Sequence, residues 1–342
     1  MAGLLIRLFG VLLLLTALAL PLVRAPDRAV ETLVARWAPP PSEFLDLGGQ
    51  LVHYRDEGPR DDPVPIVLLH GTSASLHTWE GWTRALRGQR RVISLDLPAF
   101  GLTGPFAGRY AGQTYTGPNY ARFVLDVLDR LAVPRFVIAG NSLGGEVAWR
   151  IAALAPQRVA QLVLVDAAGY PLDAKNVPLG WQIARLPVLG HVTEHLLPRP
   201  LVVQGLRAVY GDPAKITEPL VDRYFELTLR AGNRAALVQR AQTWSSKEGV
   251  ARVDGVSAPT LILWGGRDHL IPPATAQRFA ADIAGARTVL FDDLGHVPHE
   301  EDPQRTVAEV KAFLAIAALP SAAASAVGGP ALPAIAASAA SR

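Results

Sequence analysis

Ser142 stands in Gly140-Asn141-Ser142-Leu143-Gly144-Gly145, between the apolar run 136–139 and an alanine-rich helical pattern that reaches residue 155. A short apolar run, a serine among glycines and then helical periodicity read as strand, sharp turn and helix. Such a turn holds the serine in a strained backbone conformation and lifts its hydroxyl out of the sheet. It also aims the first amides of the new helix at whatever reacts there. A serine hydroxyl attacks poorly until a base takes its proton, and the base needs a third group to orient it. The residue types for both roles follow later in the chain. Asp268 closes Trp264-Gly265-Gly266-Arg267-Asp268 after the apolar run 260–264, and Gly295-His296 follows the run 288–291. Both lie just past the ends of expected strands. Asp166, at the end of the run 162–165, is a second acid in a comparable place and is expected to be a turn or cap residue.

Other titratable residues read more plainly. His299 opens His299-Glu300-Glu301-Asp302-Pro303 ahead of the final helix and is expected at the surface or in a cap. Asp292 and Asp293 are expected to be solvated. His191 and His195 share a helical spacing but lack the glutamate that a zinc-protease helix carries. No metal and no cofactor are expected.

The segments that must position these residues are short and regularly ordered. Apolar runs at 44–47, 51–54, 66–69, 92–95, 136–139, 162–165, 260–264 and 288–291 predict eight strands, the first two a hairpin around Gly48-Gly49. Helical patterns at 79–86, 120–131, 146–155, 274–283 and 303–317 separate most of the others. Strands alternating with helices imply a mostly parallel sheet covered on both faces, with its working site at the carboxyl ends of the strands. Between residues 166 and 260 the rhythm breaks. Helical segments at 179–186, 196–209, 220–229 and 235–244 predict a helical lid inserted after the sixth strand, at about 170–250.

Composition bounds the remainder. The chain has 342 residues, half of them apolar, with 33 basic and 30 acidic side chains and a net charge of +3. No basic stripe interleaved with aromatics is present, so nucleic acid is not an expected partner. The absence of cysteine excludes thiol catalysis, disulfides and thiolate metal sites. Residues 8–23 carry no charge and lie between Arg7 and Arg24, the pattern of a secretory signal or an uncleaved anchor over 1–25. The protein is therefore expected to be exported or membrane-anchored, on the extracytoplasmic (periplasmic) side, with the N-terminal segment its point of membrane association. Residues 26–43, ending in Pro39-Pro40-Pro41, read as a linker, 44–319 as the globular domain and the Ala/Ser/Pro/Gly-rich 320–342 as a disordered tail.

The serine turn in its strand-turn-helix setting resembles the nucleophile elbow of the α/β-hydrolase family. That family supplies its triad in the order serine, acid, histidine, and Ser142, Asp268 and His296 follow it. The resemblance implies that the backbone amides of Thr72, in His70-Gly71-Thr72-Ser73, and of Leu143 receive the developing negative charge. His70 is then a brace rather than a proton carrier. Asp96-Leu97-Pro98-Ala99-Phe100-Gly101-Leu102-Thr103 is similar to the family's Asp-x-Pro-Gly-x-Gly-x-Ser turn, with Ala99 and Thr103 departing from it. A serine at the elbow, where related epoxide hydrolases and haloalkane dehalogenases carry aspartate, implies an acyl-enzyme. The expected activity is hydrolysis of a small-molecule carboxylic ester, hydrophobic or lipid-like, as in a monoacylglycerol. Apolar side chains in the expected lid (Trp181, Leu186, Val188, Leu189, Leu196, Leu197, Tyr224, Phe225) and Trp79 support the apolar substrate. The alternatives are a carbon–carbon bond hydrolase of the ring-cleavage-product type, whose elbow is similar, and a non-catalytic binding protein with this fold.

Overall fold

The computed structural model describes residues 25–171, 179–243 and 253–315, with residues 3, 7, 9–11 and 14. The expected signal or anchor over 1–25 lies mostly outside the described residues, and the expected tail lies wholly outside them. No helix among the described residues is long and apolar enough to cross a membrane.

All eight expected strands form: β1 (Ser42–Asp46), β2 (Leu51–Glu57), β3 (Ile66–Leu69), β4 (Val92–Leu95), β5 (Phe136–Asn141), β6 (Val159–Val165), β7 (Thr260–Gly265) and β8 (Arg287–Phe291). They make one sheet in the order β1-β2-β4-β3-β5-β6-β7-β8. β1 and β2 pair antiparallel, as does β2 with β4, and every later pairing is parallel. Side chains alternate faces along each strand. Val67, Leu69, Ile138, Leu162, Leu164, Ile262 and Trp264 therefore enter one core, and Ile66, Leu68, Val137, Val163, Val165, Leu261 and Leu263 the other. The first core is closed by α3 (Gly117–Arg130), α4 (Leu143–Leu154) and α10 (Ala274–Asp282), the second by α2 (Glu80–Leu86) and α12 (Pro303–Phe313).

The helix α1 (Val30–Trp37) corrects the reading of 26–43 as a linker. Val30, Leu33, Val34 and Trp37 recur at one-turn spacing, and that stripe buries Leu33 with Leu102 and Leu227. Arg36 and Trp37 then bond Glu226. Between β6 and β7 lie α5 (Leu179–Ala184), α6 (Pro187–Thr193), α7 (Arg199–Val209), α8 (Glu218–Thr228) and α9 (Asn233–Thr243). They pack mainly through small clusters of their own, such as Leu206, Tyr210 and Val221 with Val297, while Ala236 of α9 reaches the first sheet core. A short helix, α11 (Pro298–Glu301), precedes α12.

Candidate active site

Parallel register aligns the strand ends. Leu69 pairs with Gly140, Asn141 with Val165, Val165 with Leu263, and Gly265 with Phe291. The residues that leave these strands, His70, Ser142, Asp166 and Asp268, share one edge, joined by His296 from the loop after β8.

The turn at Ser142 is as strained as its neighbours suggested. Its φ is 53° and ψ −116°, outside the regions a side chain ordinarily adopts. It is held by the Ser142 N–H on the Val165 carbonyl at 3.1 Å and by Glu146 and Ala168 N–H groups on the Ser142 carbonyl. A side chain at Gly140 would strike Gly144, and one at Gly144 would strike the Leu69 carbonyl, so both glycines permit close backbone approach. At Gly71 an added Cβ would lie 3.1 Å from the Ser142 Cβ, so the turn before Thr72 abuts the serine. Among the described residues the Thr72 and Leu143 amides donate to no protein acceptor. Leu143 is the first residue of α4, where such amides are unpaired by geometry.

His296 and Asp268 meet. The His296 Nδ1 lies 2.7 Å from Asp268 Oδ2, and both side chains are almost wholly buried. Asp268 Oδ1 accepts from the Leu270 and Ile271 amides at 2.8 and 2.9 Å, which fixes the carboxylate's plane. With Nδ1–H on the carboxylate, Nε2 is left as the free acceptor of the imidazole. The backbone of His296 is held from two sides. Its N–H donates to Val209 O at the end of α7, at 2.7 Å, and its carbonyl accepts from Asn141 Nδ2 at 2.9 Å. Asn141 also donates to Val165 O, so the residue beside the serine is bonded to the residue bearing the imidazole.

Two residues that hold this arrangement escaped the sequence reading. Asn141 is one; a buried amide ending an apolar strand was its only sign. The other is Glu301, whose carboxylate accepts from Gly211 and Gly295 N–H through Oε2 and from Asp212 N–H through Oε1, at 2.8–2.9 Å. It joins the insertion to the histidine loop, and nothing in its acidic run distinguished it. A side chain at Gly295 would strike Val209 O and the Gly211 amide, so those backbones are in contact.

His299 is not at the surface. It is fully buried, its ring 4.0 Å from that of Trp79, and neither ring nitrogen has a hydrogen-bond partner among the described residues. Burial, then the neighbouring His296, pushes its pKa well down, so it stays neutral. The apolar run Val297-Pro298 carries it inward with α11. Trp79 is enclosed between Trp82 and His299 and does not face an open cavity. His70 is the expected brace, its Nδ1 on Gly71 O at 2.7 Å and its Nε2 accepting from the Leu97 amide at 3.0 Å. Asp96 is buried, and burial alone would raise it; His53 Nδ1 at 2.7 Å holds it well below the usual carboxylate range. His191 is exposed and paired with Glu194. Asp292 and Asp293 are exposed as expected.

Asp166 Oδ1 accepts from the Gly265 N–H at 2.9 Å, while its Oδ2 is buried without a donor. One donor atom each from Asp166, Asp268 and His296 falls within 4.8 Å of the others. A cation there would have to part the imidazole from the carboxylate, because Nδ1 and Oδ2 already face each other.

Known proteins agree with this architecture. Residues 64–303 match the family model described as the alpha/beta hydrolase fold. The chain is 30% identical over 281 residues to the dihydrolipoyllysine-residue acetyltransferase component of the acetoin cleaving system of Pseudomonas putida, covering 80% of this chain and 70% of that protein. It is 26% identical over 270 residues to the 2-hydroxy-6-oxononadienedioate/2-hydroxy-6-oxononatrienedioate hydrolase of Klebsiella pneumoniae, covering 75% and 89%. The crystal structure of a hydrolase from Pseudomonas aeruginosa superposes with a TM-score of 0.65 at 26% identity, covering 80% of this chain and 98% of that one. A strained serine between β5 and α4 and a family match across most of the chain lead to one assignment: the protein is a hydrolase belonging to the α/β-hydrolase fold family.

Proposed function

We propose that the chain cleaves carboxylic esters with hydrophobic or lipid-like groups, monoacylglycerols among them, through an acyl-enzyme on Ser142. The observation that carries this reading is the buried His296–Asp268 pair at 2.7 Å, with the His296 carbonyl bonded to the residue beside Ser142. His296 Nε2 takes the Ser142 proton as Oγ attacks the ester carbonyl. The unpartnered Thr72 and Leu143 amides stabilise the tetrahedral oxyanion; losing one such donor costs about 10²–10³ in rate. The C–O bond to the alcohol then breaks as His296 returns the proton, and water repeats the sequence on the acyl-enzyme. Asp268 keeps the imidazole in the tautomer that both steps need. Helices α5–α9 act as the lid over the site. Their attachment at Val209 supports this, as do the exposed Val192 and Leu201 on them and Leu186 between α5 and α6. The uncharged residues 8–23 support export or anchoring, and Ala25, which follows them, bonds His195 O in the insertion.

A second reading, hydrolysis of a carbon–carbon bond in a ring-cleavage dienoate, is favoured by the similarity to the Klebsiella pneumoniae hydrolase. A fluorophosphonate probe tests the shared nucleophile: labelling should be strong and abolished in Ser142→Ala. Labelling that survives the substitution, or none in the folded protein, overturns both readings and leaves a binding protein. Turnover across p-nitrophenyl esters of increasing length, beside a dienoate substrate, separates ester from carbon–carbon cleavage.

A further inference from the structure

Two acids converge on one imidazole, and the proposed mechanism uses only one. Asp166 emerges from β6 and Asp268 from the loop after β7, both fully or almost fully buried, with carboxyl oxygens within 4.8 Å of each other. Asp166 is held there at φ 43°, a left-handed conformation that a non-glycine residue adopts at a cost, and such strain concentrates at functional positions. Two buried carboxylates this near do not both ionise at neutral pH, so the pair carries a proton.

Its place is set by the surrounding donors. Asp268 accepts from the Leu270 and Ile271 amides and faces His296 Nδ1, whereas Asp166 accepts from the Gly265 amide alone. The carboxylate with more donors is the one that holds the charge. An ionised Asp166 would also leave Oδ2 buried with no donor; a proton on Asp166 supplies the missing partner. Asp268 has about four acceptor sites, and its three bonds leave one for that proton.

We propose that Asp166 is a protonated positioning residue: a neutral carboxylic acid that donates a hydrogen bond to Asp268 and thereby tempers the charge Asp268 presents to His296. This assignment deepens the hydrolase reading and rests on it for its catalytic consequence. The charged and titratable groups that face Asp166 are Asp268 from the loop after β7, and His296 and Glu301 from the segment after β8. Burial and then the Asp268 charge both push Asp166 well above the usual carboxylate range, in the direction the donor geometry requires. Removing the donor leaves more negative charge on Asp268, which makes the His296 imidazole a stronger base. The free-base form needed for attack on the ester is then reached only at higher pH.

The test has a spectroscopic arm and a kinetic arm. Infrared spectra of the folded protein at pH 7 should show the carbonyl stretch of a buried protonated carboxylic acid, and Asp166→Asn should lose it. This arm does not depend on turnover. Asp166→Asn keeps a donor and should hold kcat/KM within about tenfold of the unaltered chain. Asp166→Ala loses the donor and should shift the acidic limb of the kcat/KM profile upward by about one pH unit. A missing acid band, or one that persists in Asp166→Asn, overturns the assignment even when esters are cleaved. An acidic limb unmoved in folded Asp166→Ala overturns it as well. If no ester is cleaved while the band behaves as described, the ester reading fails and the protonated pair stands.

Discussion

The carboxyl edge of the sheet and the helical insertion above it are built on different principles. Along the edge, Leu69, Ala139, Val165 and Leu263 are fully buried and locked in parallel register, and the residues that leave them inherit that rigidity. The insertion packs mainly through small clusters of three or four buried side chains, with Ala236 reaching the first sheet core, and Leu186, Val192 and Leu201 on it are about half exposed. Its join to the histidine loop is polar: the Val209 carbonyl on His296 N–H, and Glu301 bridging Gly211 and Asp212 to Gly295. The proposed base is therefore the one member of the proposed triad held by both regions. Ser142 and Asp268 belong to the sheet edge, and His296 is positioned from above and below.

The largest expected effect lies wholly within the rigid edge. Asp268→Asn should lower kcat for ester hydrolysis by about 10⁴ through the wrong imidazole tautomer. Unfolding by urea should show a folded protein. A loss smaller than tenfold would move the orienting role elsewhere, with Asp166 the nearest acid.

Acid should weaken the edge before it reaches the insertion. Burial depresses His70 and His299, and brings His77 down to about 4 despite the opposing pull of Asp96. Each binds a proton less readily in the folded protein than in the unfolded chain, where a histidine titrates near about pH 6.5, so stability rises with pH through that range. Asp166 acts in the opposite sense, because its raised pKa lets the folded state keep a proton that the unfolded chain releases. Three groups acting against one leave the protein losing stability as the pH falls from about 6 to about 5. Urea midpoints at the two pH values check this; equal midpoints would show those histidines to be solvated.

The join between the regions can be cut with one atom. Glu301→Gln replaces an acceptor oxygen by an NH₂ group facing backbone N–H groups. Charge-assisted bonds of this kind contribute about 1.5–3 kcal/mol. If the join positions His296, kcat should fall about 10–100-fold, with KM less affected. Leu201→Ser, on the exposed face of the insertion, should change stability by less than about 0.5 kcal/mol. Equal effects of the two substitutions would erase the distinction drawn between edge and seam.

How much of this was legible in the sequence follows the same division. Strands buried on both faces, such as β3, β4, β5 and β7, read as short apolar runs, and all eight strands lie where the expected runs fall. The triad candidates were legible because each follows such a run. The partnership of Glu301 was not, since it depends on how a distant helix end docks on a loop. His299 was misread for a related reason: polar neighbours in sequence suggested solvent, while the adjoining Val297-Pro298 and the Trp79 ring enclose it. The helix at Val30–Trp37 was hidden by the prolines after it, although its one-turn apolar spacing was present.

The smallest expected effect concerns the turn after β4, where Ala99 occupies a position that the family's pattern gives to glycine. Ala99 adopts φ 78°, in the left-handed region, and the turn is nevertheless closed by its N–H on Gly104 O at 2.7 Å. The turn persists because Asp96 ties it from within, its Oδ2 accepting from the Leu102 amide at 2.8 Å. A left-handed alanine costs about 1–2 kcal/mol relative to its ordinary regions, whereas glycine has no such penalty but loses more chain entropy on folding. Ala99→Gly should therefore stabilise the protein by about 1 kcal/mol at most, visible as a higher urea midpoint with an unchanged slope. The cost is local to the turn after β4, so ester turnover should stay within about twofold. Destabilisation instead would mean that the Ala99 methyl, which is buried in the core beside the sheet edge, contributes more by packing than its backbone loses by strain.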